Sequence, residues 1–474
     1  MSQWPAIETL ARDVNSGNTS AVSLVKKALN TVEKHAEFMA IISTVEDRAL
    51  ERAQAIDDAV KSGKNAGRLA GVPFIAKDNF LTFGTETTAA SNILRGFNAP
   101  YQATAIEKLE AEGAICVAKA NLDAFAHGSS TENSDFFTTL NPHDKSRVPG
   151  GSSGGSAAAV MLDMAPFALG TDTGGSIRQP ASFTGTVGYK PTYGLVSRYG
   201  VVAMASSTDV IGPITNTVED AAIVLDVMSG RDLLDSTTID RDKKPYTQLS
   251  KDIKGKKIGV IKEYMGEGLQ PEVRKPVEDA IEALKKAGAE ISEVSLPSLP
   301  LALACYYIIV PAEVSANLSR YDGQRYGYSS GDAKDLLESY ELSRSQGFGP
   351  EAKRRIIIGT YVLSSGYYDA YYKKAQQLRT KLLQEFDNAF KKVDFMAGPV
   401  TPSAAFKIGE NVDDPLQMIL SDIMTVAVNL VGIPAISIPA KTSGKLPIGF
   451  QLMAPQHHDL ELLNLAYAYE KERA

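Results

Sequence analysis

The amino-acid sequence predicts an α/β protein, a single large domain with a central mixed, mostly parallel twisted β-sheet covered by helices on both faces. Three observations predict it. Between residues 71 and 119 two short apolar runs flank a helical stretch, the alternation expected of βα packing with parallel strands. A β-α-β pattern recurs at 258–261, 271–287 and 290–296. Core-like strands at 435–439 and 448–453 return at the far end of the chain. The sheet therefore draws on both termini, and the 474 residues read as one domain, although that length would accommodate two or three.

Taken in order, residues 6–35 and 44–62 carry helical periodicity; Val22, Val25, Ala28, Leu29 and Val32 are mostly three to four apart. Residues 71–77 form a short strand ending on Lys77, and Pro73 places it at a sheet edge or a strand start. A helix over 101–112 precedes a buried strand at 114–119. Residues 128–151, rich in Gly, Ser, Thr, Asn and Pro, form a loop. A helix at 155–162 points its N-terminus at that loop, and 167–171 is a strand. Thr217-Val-Glu-Asp220 has capping-box spacing with Asp in the acidic place, opening a helix to about Met228. Residues 229–257 are a charged surface connection, 301–395 a mostly helical, Tyr-rich stretch, and a last helix begins at Asp459. No internal repeat or low-complexity tract is present.

Composition excludes several function classes. The chain is 44% hydrophobic and 22% charged, as globular proteins are. With 49 basic against 56 acidic residues and no Lys/Arg run, direct nucleic-acid binding is not expected. Cys116 and Cys305 sit in apolar surroundings, which suits two buried free thiols and neither a disulfide framework nor a Cys-based zinc site. The N-terminus lacks a signal or transit pattern, and no apolar run approaches the roughly 20 residues that span a bilayer. A soluble, cytoplasmic protein is expected.

The chemistry concentrates in two glycine-flanked serine loops around Ser152 and Ser176, which bracket an apolar run. Such loops expose a hydroxyl among free backbone N–H groups, as acyl chemistry requires. Ser176 is the candidate nucleophile, with the N–H groups of Thr173, Gly174, Gly175 and Ser176 as the oxyanion hole; the bland alternative is a tight turn with a capping serine. Gly151-Ser-Ser-Gly-Gly155 matches a Gly-x-Ser-x-Gly elbow centred on Ser153, but the downstream histidines, His457 and His458, head a polar loop. Gly150 and Gly155 have phosphate-loop spacing, yet Ser156-Ala157 follows where Lys-Ser/Thr is needed. Lysine is the remaining base. It must be neutral, its pKa brought from roughly 10.4 toward about 7–8 by burial or nearby cations. Lys77 at its strand end suits that, against the alternative of a snorkelling lysine.

Lys77, Gly150-Gly-Ser-Ser-Gly-Gly-Ser156 and Gly174-Gly-Ser-Ile-Arg178, at intervals of 75 and 24 residues, resemble the amidase signature family. The resemblance implies that family's fold over residues 1–474: N-terminal helices (1–65), a catalytic core (about 66–230), a helical substrate-pocket region (about 257–395) and returning strands (395–474). It implies a Ser–cis-Ser–Lys triad with Lys77 as base, Ser152 as proton shuttle after a cis peptide, and Ser176 as the acylated residue. Within the family the likeness narrows to the glutamine-hydrolysing A subunits of aspartyl/glutamyl-tRNA(Asn/Gln) amidotransferases. It is carried by Gly128-Ser-Ser-Thr-Glu-Asn-Ser134, Arg178-Gln-Pro-Ala181, Lys190-Pro-Thr-Tyr-Gly194, Val196-Ser-Arg-Tyr-Gly200, Tyr306-Tyr-Ile-Ile-Val-Pro-Ala-Glu313, Arg354-Arg-Ile356 and Asp422-Ile-Met-Thr425.

That branch implies glutamine hydrolysis with release of ammonia to a B subunit, which uses ATP and Mg to convert Glu-tRNA(Gln) to Gln-tRNA(Gln), or Asp-tRNA(Asn) to Asn-tRNA(Asn). A small C subunit would bridge the two, this chain would hold no cofactor or metal, and tRNA contact would be indirect. Glutamine's carboxylate and ammonium call for an Arg and an Asp. By resemblance Arg355 takes the carboxylate and Asp422 the amine, with Ser129 and Tyr307 lining the pocket and Tyr306 competing with Tyr307. His127 and Val210 depart from the Met and Gln expected in this branch. A stand-alone amidase with the same triad is the alternative, and a non-catalytic scaffold the alternative from another class.

Overall fold

In the computed structural model, which describes residues 2–412, 415–442 and 444–473, helices α1 (Ile7–Asn15) and α2 (Ala21–Lys34) open the chain. The periodicity over 6–35 is thus two helices. Gly17 breaks them at φ 73, and the Ser20 hydroxyl caps α2 by accepting from the Ser23 N–H at 3.1 Å. Then come β1 (Ile41–Thr44), α3 (Glu46–Lys61), β2 (Pro73–Lys77), α4 (Thr104–Ala111), β3 (Ile115–Ala120), α5 (Gly154–Met161), β4 (Phe167–Asp172), α6 (Arg178–Thr184), β5 (Val187–Lys190), β6 (Val210–Thr215) and α7 (Val218–Met228). Thr217 caps α7 as its spacing predicted, accepting from the Asp220 N–H.

The second half runs β7 (Lys257–Ile261), α8 (Pro271–Lys286), β8 (Glu290–Val294), α9 (Ala302–Asn317), α10 (Leu336–Gly347), α11 (Pro350–Leu363), α12 (Lys373–Phe390), β9 (Phe395–Pro399), α13 (Pro415–Leu420), α14 (Val426–Val431), β10 (Ala435–Pro439), β11 (Gly449–Met453) and α15 (Asp459–Arg473). Among the described residues eleven strands join one sheet, in the order β1-β3-β2-β4-β6-β5-β10-β11-β9-β7-β8, flanked by helices. Both chain halves contribute, as the returning strands at 435–453 predicted.

The sheet is mixed, but it is not mostly parallel. Only β2–β3, β2–β4, β7–β8 and β7–β9 pair in parallel; the other six pairings are antiparallel. The two βαβ units are the parallel parts. Between them run β5 and β6, whose Gly188, Gly212 and Pro213 weaken a strand pattern, and β10 and β11, joined by a short reversal.

Pro73 occupies the first position of β2, which is an interior strand between β3 and β4. Of the two places that Pro73 allowed, an edge or a strand start, the strand start holds: a proline there leaves the ladder intact wherever the strand lies. Every residue of β2 and β4 is buried, with Phe74 stacked on Phe167 at 5.2 Å. The run Leu299–Arg320 is also corrected, since by length and composition it is apolar enough to span a membrane. Half of its most apolar window is buried in the fold, where α9 packs on α11, α12 and α14. Both cysteines are free and buried.

Candidate active site

Lys77 ends β2 and Asp172 ends the parallel neighbour β4, so the two serine loops meet outside the carboxyl ends of adjacent strands, where open α/β sheets place their ligands. Lys77 is wholly buried, which removes the snorkelling alternative. Its Nζ stands 2.7 Å from Ser152 Oγ, 2.9 Å from Ser153 Oγ and 2.9 Å from Thr171 Oγ1. Burial brings its pKa from 10.5 to about 7, against the opposing pull of Asp123, Asp172 and Asp209.

The neighbouring hydroxyls sort the protons. Ser153 donates to the Thr171 carbonyl at 3.2 Å, and Thr171 Oγ1 accepts from Asn79 Nδ2 at 3.1 Å. Ser152 Oγ has no other hydrogen-bond partner among the described residues, so its proton is free to turn toward a neutral Nζ. The Gly151–Ser152 peptide is cis.

Ser176 retains 8% exposure while Lys77 and Ser152 have none, so it is the member a substrate can meet. Its carbonyl accepts from the Ser153 N–H at 3.2 Å, which ties the two serine loops together. Among the described residues its hydroxyl has no hydrogen-bond partner. Relays of this kind often tighten only when substrate is bound.

The Ser176 loop wraps the Asp172 carboxylate. Asp172 accepts from the N–H groups of Gly175 at 2.9 Å and Ile177 at 3.2 Å, and from Arg178 Nε at 3.0 Å and Nη2 at 2.9 Å. Arg178 in turn donates to Gln451 Oε1 at 2.7 Å and Asn429 Oδ1 at 2.6 Å, all fully or almost fully buried. Burial alone would raise the Asp172 pKa; the guanidinium, with Lys190 and Asn429, holds it at about 2. This removes Gly175 from the expected oxyanion set, because its N–H is already spent on Asp172, and leaves those of Thr173, Gly174 and Ser176. The Gly174 carbonyl accepts from Thr425 Oγ1 at 2.5 Å. Both positions favour glycine: a Cβ on Gly174 would stand 2.7 Å from the Tyr306 ring, and Gly175 adopts φ 139 against Thr425.

The expected pocket residues also converge. Ser129 donates to Asp422 Oδ2 at 2.6 Å, and Gln179 links this pair to the first serine loop, donating to the Ser129 carbonyl at 2.7 Å and accepting from the Gly151 N–H at 2.8 Å. Burial pushes the Asp422 carboxyl up to about 7, with Ser129 and Arg355 pulling the other way. Arg355 is buried, donates from Nε to Glu351 at 2.7 Å and lies 5.6 Å from the Tyr307 ring centre, while its Nη1 is buried and without a hydrogen-bond partner among the described residues. Tyr306 packs on Gly174, and Tyr307 meets it edge-on at 5.2 Å. His457 and His458 are exposed at a distance in sequence and setting from these loops. Val210 is buried and pairs with Asp172 across β4–β6. Among the described residues no cluster of three His, Cys, Asp or Glu could hold a metal.

Sequence reasoning weighed Ser153 only as an elbow serine, whereas it hydrogen-bonds Lys77; it missed Thr171, Asp172, Asn429 and Gln451. Asp172 and Arg178 sit six residues apart around the nucleophile loop, a signal available in the chain; Asn429 and Gln451 carried none.

A lysine-backed serine site at the strand ends of a mixed sheet defines a class of serine-dependent acyl-transfer enzyme. The chain belongs to the amidase family, whose family description, Amidase, matches residues 23–463. It is 52% identical over 467 residues to the A subunit of glutamyl-tRNA(Gln) amidotransferase from Thermoanaerobacter pseudethanolicus, covering 98% of this chain and 96% of that one. The crystal structure of the corresponding glutamyl-tRNA(Gln) amidotransferase A subunit from Thermotoga maritima is similar at 41% identity and TM-score 0.78, over 95% and 91% of the two chains. Peptide amidase from Stenotrophomonas maltophilia has TM-score 0.84 at 28% identity, over 99% and 97%.

Proposed function

We propose that this chain is the glutaminase subunit of a tRNA-dependent amidotransferase, the A subunit that releases ammonia from glutamine. The observation that carries the chemistry is the buried Lys77 Nζ 2.7 Å from Ser152 Oγ. Neutral Lys77 draws the Ser152 proton as Ser152 takes that of Ser176, whose Oγ attacks the side-chain amide carbon of glutamine. The oxyanion is held by the N–H groups of Thr173, Gly174 and Ser176. The proton returns through Ser152 to the leaving nitrogen, ammonia departs, and water cleaves the acyl-Ser176 ester to give glutamate. Arg355 receives the substrate carboxylate on its unpartnered Nη1, while Asp422 and Ser129 receive the ammonium and Tyr306 and Tyr307 wall the pocket.

The likeness to subunits named glutamyl-tRNA(Gln) amidotransferase supports the larger setting. There the ammonia passes to a B subunit that binds ATP, Mg and the misacylated Glu-tRNA(Gln), with a C subunit bridging, in the cytoplasm. Ser176→Ala tests the reading: it abolishes glutamate formation from glutamine. Retained activity would remove Ser176 from its role. Co-purification with B and C subunits, and stimulation by them, separates this reading from a stand-alone amidase.

A further inference from the structure

His127 is a polar side chain that the chemistry above leaves unused. It is fully buried, yet neither ring nitrogen has a hydrogen-bond partner among the described residues. A buried polar group left unpaired is destabilising, so an orphaned imidazole calls for a ligand or another explanation. Arg355 Nη1 is orphaned in the same way. The ring packs on Phe125 at 6.1 Å, and Phe125 meets Phe348 at 5.6 Å, two residues before α11, the helix that carries Arg355. Burial first, and then the charges of Arg355 and Arg354, hold the imidazole well below its ordinary pKa.

The backbone delivers the ring deliberately. Phe125 and Ala126 take left-handed φ of 54 and 63, and Asn133 Nδ2 donates to the His127 carbonyl at 2.8 Å. Two residues later Ser129 binds Asp422, so one short turn supplies both ends of the pocket. A neutral imidazole beside a guanidinium offers an N–H to an anion without adding a second buried cation.

We infer that His127 is a specificity-determining residue whose ring N–H donates to the α-carboxylate of glutamine beside Arg355 Nη1. The inference deepens the proposed glutamine hydrolysis and rests on it. The test compares kcat/KM for glutamine with that for 4-aminobutanamide, which is glutamine without its carboxylate, using the full chain with its partner subunits. His127→Leu lowers the preference for glutamine by about tenfold or more, chiefly through KM, as loss of a hydrogen bond to a charged group does. His127→Gln, which restores an N–H, recovers most of it. An unchanged preference in His127→Leu overturns the inference, since a merely structural role would weaken both substrates alike. His127→Phe, which keeps a ring without the N–H, gives the same readout should the leucine variant not fold. Wild-type protein that turns over both amides equally would instead sink the glutamine reading itself.

Discussion

Lys77 Nζ lies 2.7 Å from Ser152 Oγ, and neither side chain is exposed to solvent. An amine kept from water by β2 and β4 gives up its proton near pH 7, where an exposed lysine stays charged. The base is thus made by the sheet that positions it.

Removing the amine should therefore trade activity for stability. Lys77→Met lowers kcat for glutamine by roughly 10²–10⁴-fold, the range of a general base. Lys77 titrates near 7 when folded and at 10.5 when unfolded. Between those values the unfolded chain binds more protons, so stability rises with pH across that window. Lys77→Met should accordingly raise the melting temperature most at pH 7 and below, with the gain shrinking toward pH 10. Melting curves across this range check it.

Asp172 and Arg178 hold the nucleophile loop. Asp172→Ala leaves a buried guanidinium unpaired and costs about 3–5 kcal/mol, with kcat falling alongside. Arg178→Lys does not restore either, because an ammonium cannot bridge Asp172, Asn429 and Gln451 as the planar fork does. For the carboxylate the folded pKa, about 2, lies below the ordinary 3.8. Its contribution is whole above pH 3.8 and is lost as pH falls through 2. Denaturant melts of the variants from pH 2 to 7 measure both effects.

Gly174→Ala should cost at least tenfold in kcat, since the new methyl meets the Tyr306 ring at 2.7 Å. Tyr306→Leu in the same chain recovers part of it. A double-mutant cycle on kcat reads the coupling, and additivity of the two changes would contradict the packing described.

Asp422, held near 7 by burial, is ionised only above that pH. Glutamine binding to Ser176→Ala protein should therefore tighten as pH rises from 6 to 8 and level beyond. Asp422→Asn loses at least tenfold in affinity and the pH dependence with it. Calorimetric titration at several pH values checks both.

Much of this site was legible in the chain because its parts are local. Lys77 closes an apolar strand, and the glycine pattern around Ser152 and Ser176 marks loops whose backbone must lie against neighbours. The strand directions were less legible: β5 and β6 are short, Gly- and Pro-bearing segments whose pairing is decided by where the chain returns. Gly175 reads as an oxyanion donor in the sequence, whereas the fold turns its N–H onto Asp172. Asn429 and Gln451 reach Arg178 from more than 250 residues away, and no local pattern announces such a contact.

The state of the Lys77 amine decides the mechanism, and lysine ¹³Cε NMR on the full chain reads it directly. Lys190 is also buried with a pKa brought down to about 7, so spectra of Lys77→Met and Lys190→Met assign the two resonances. A signal lost in Lys77→Met that titrates near pH 7 is the predicted result. A Lys77 signal still protonated at pH 9 would contradict a neutral base at the head of the relay.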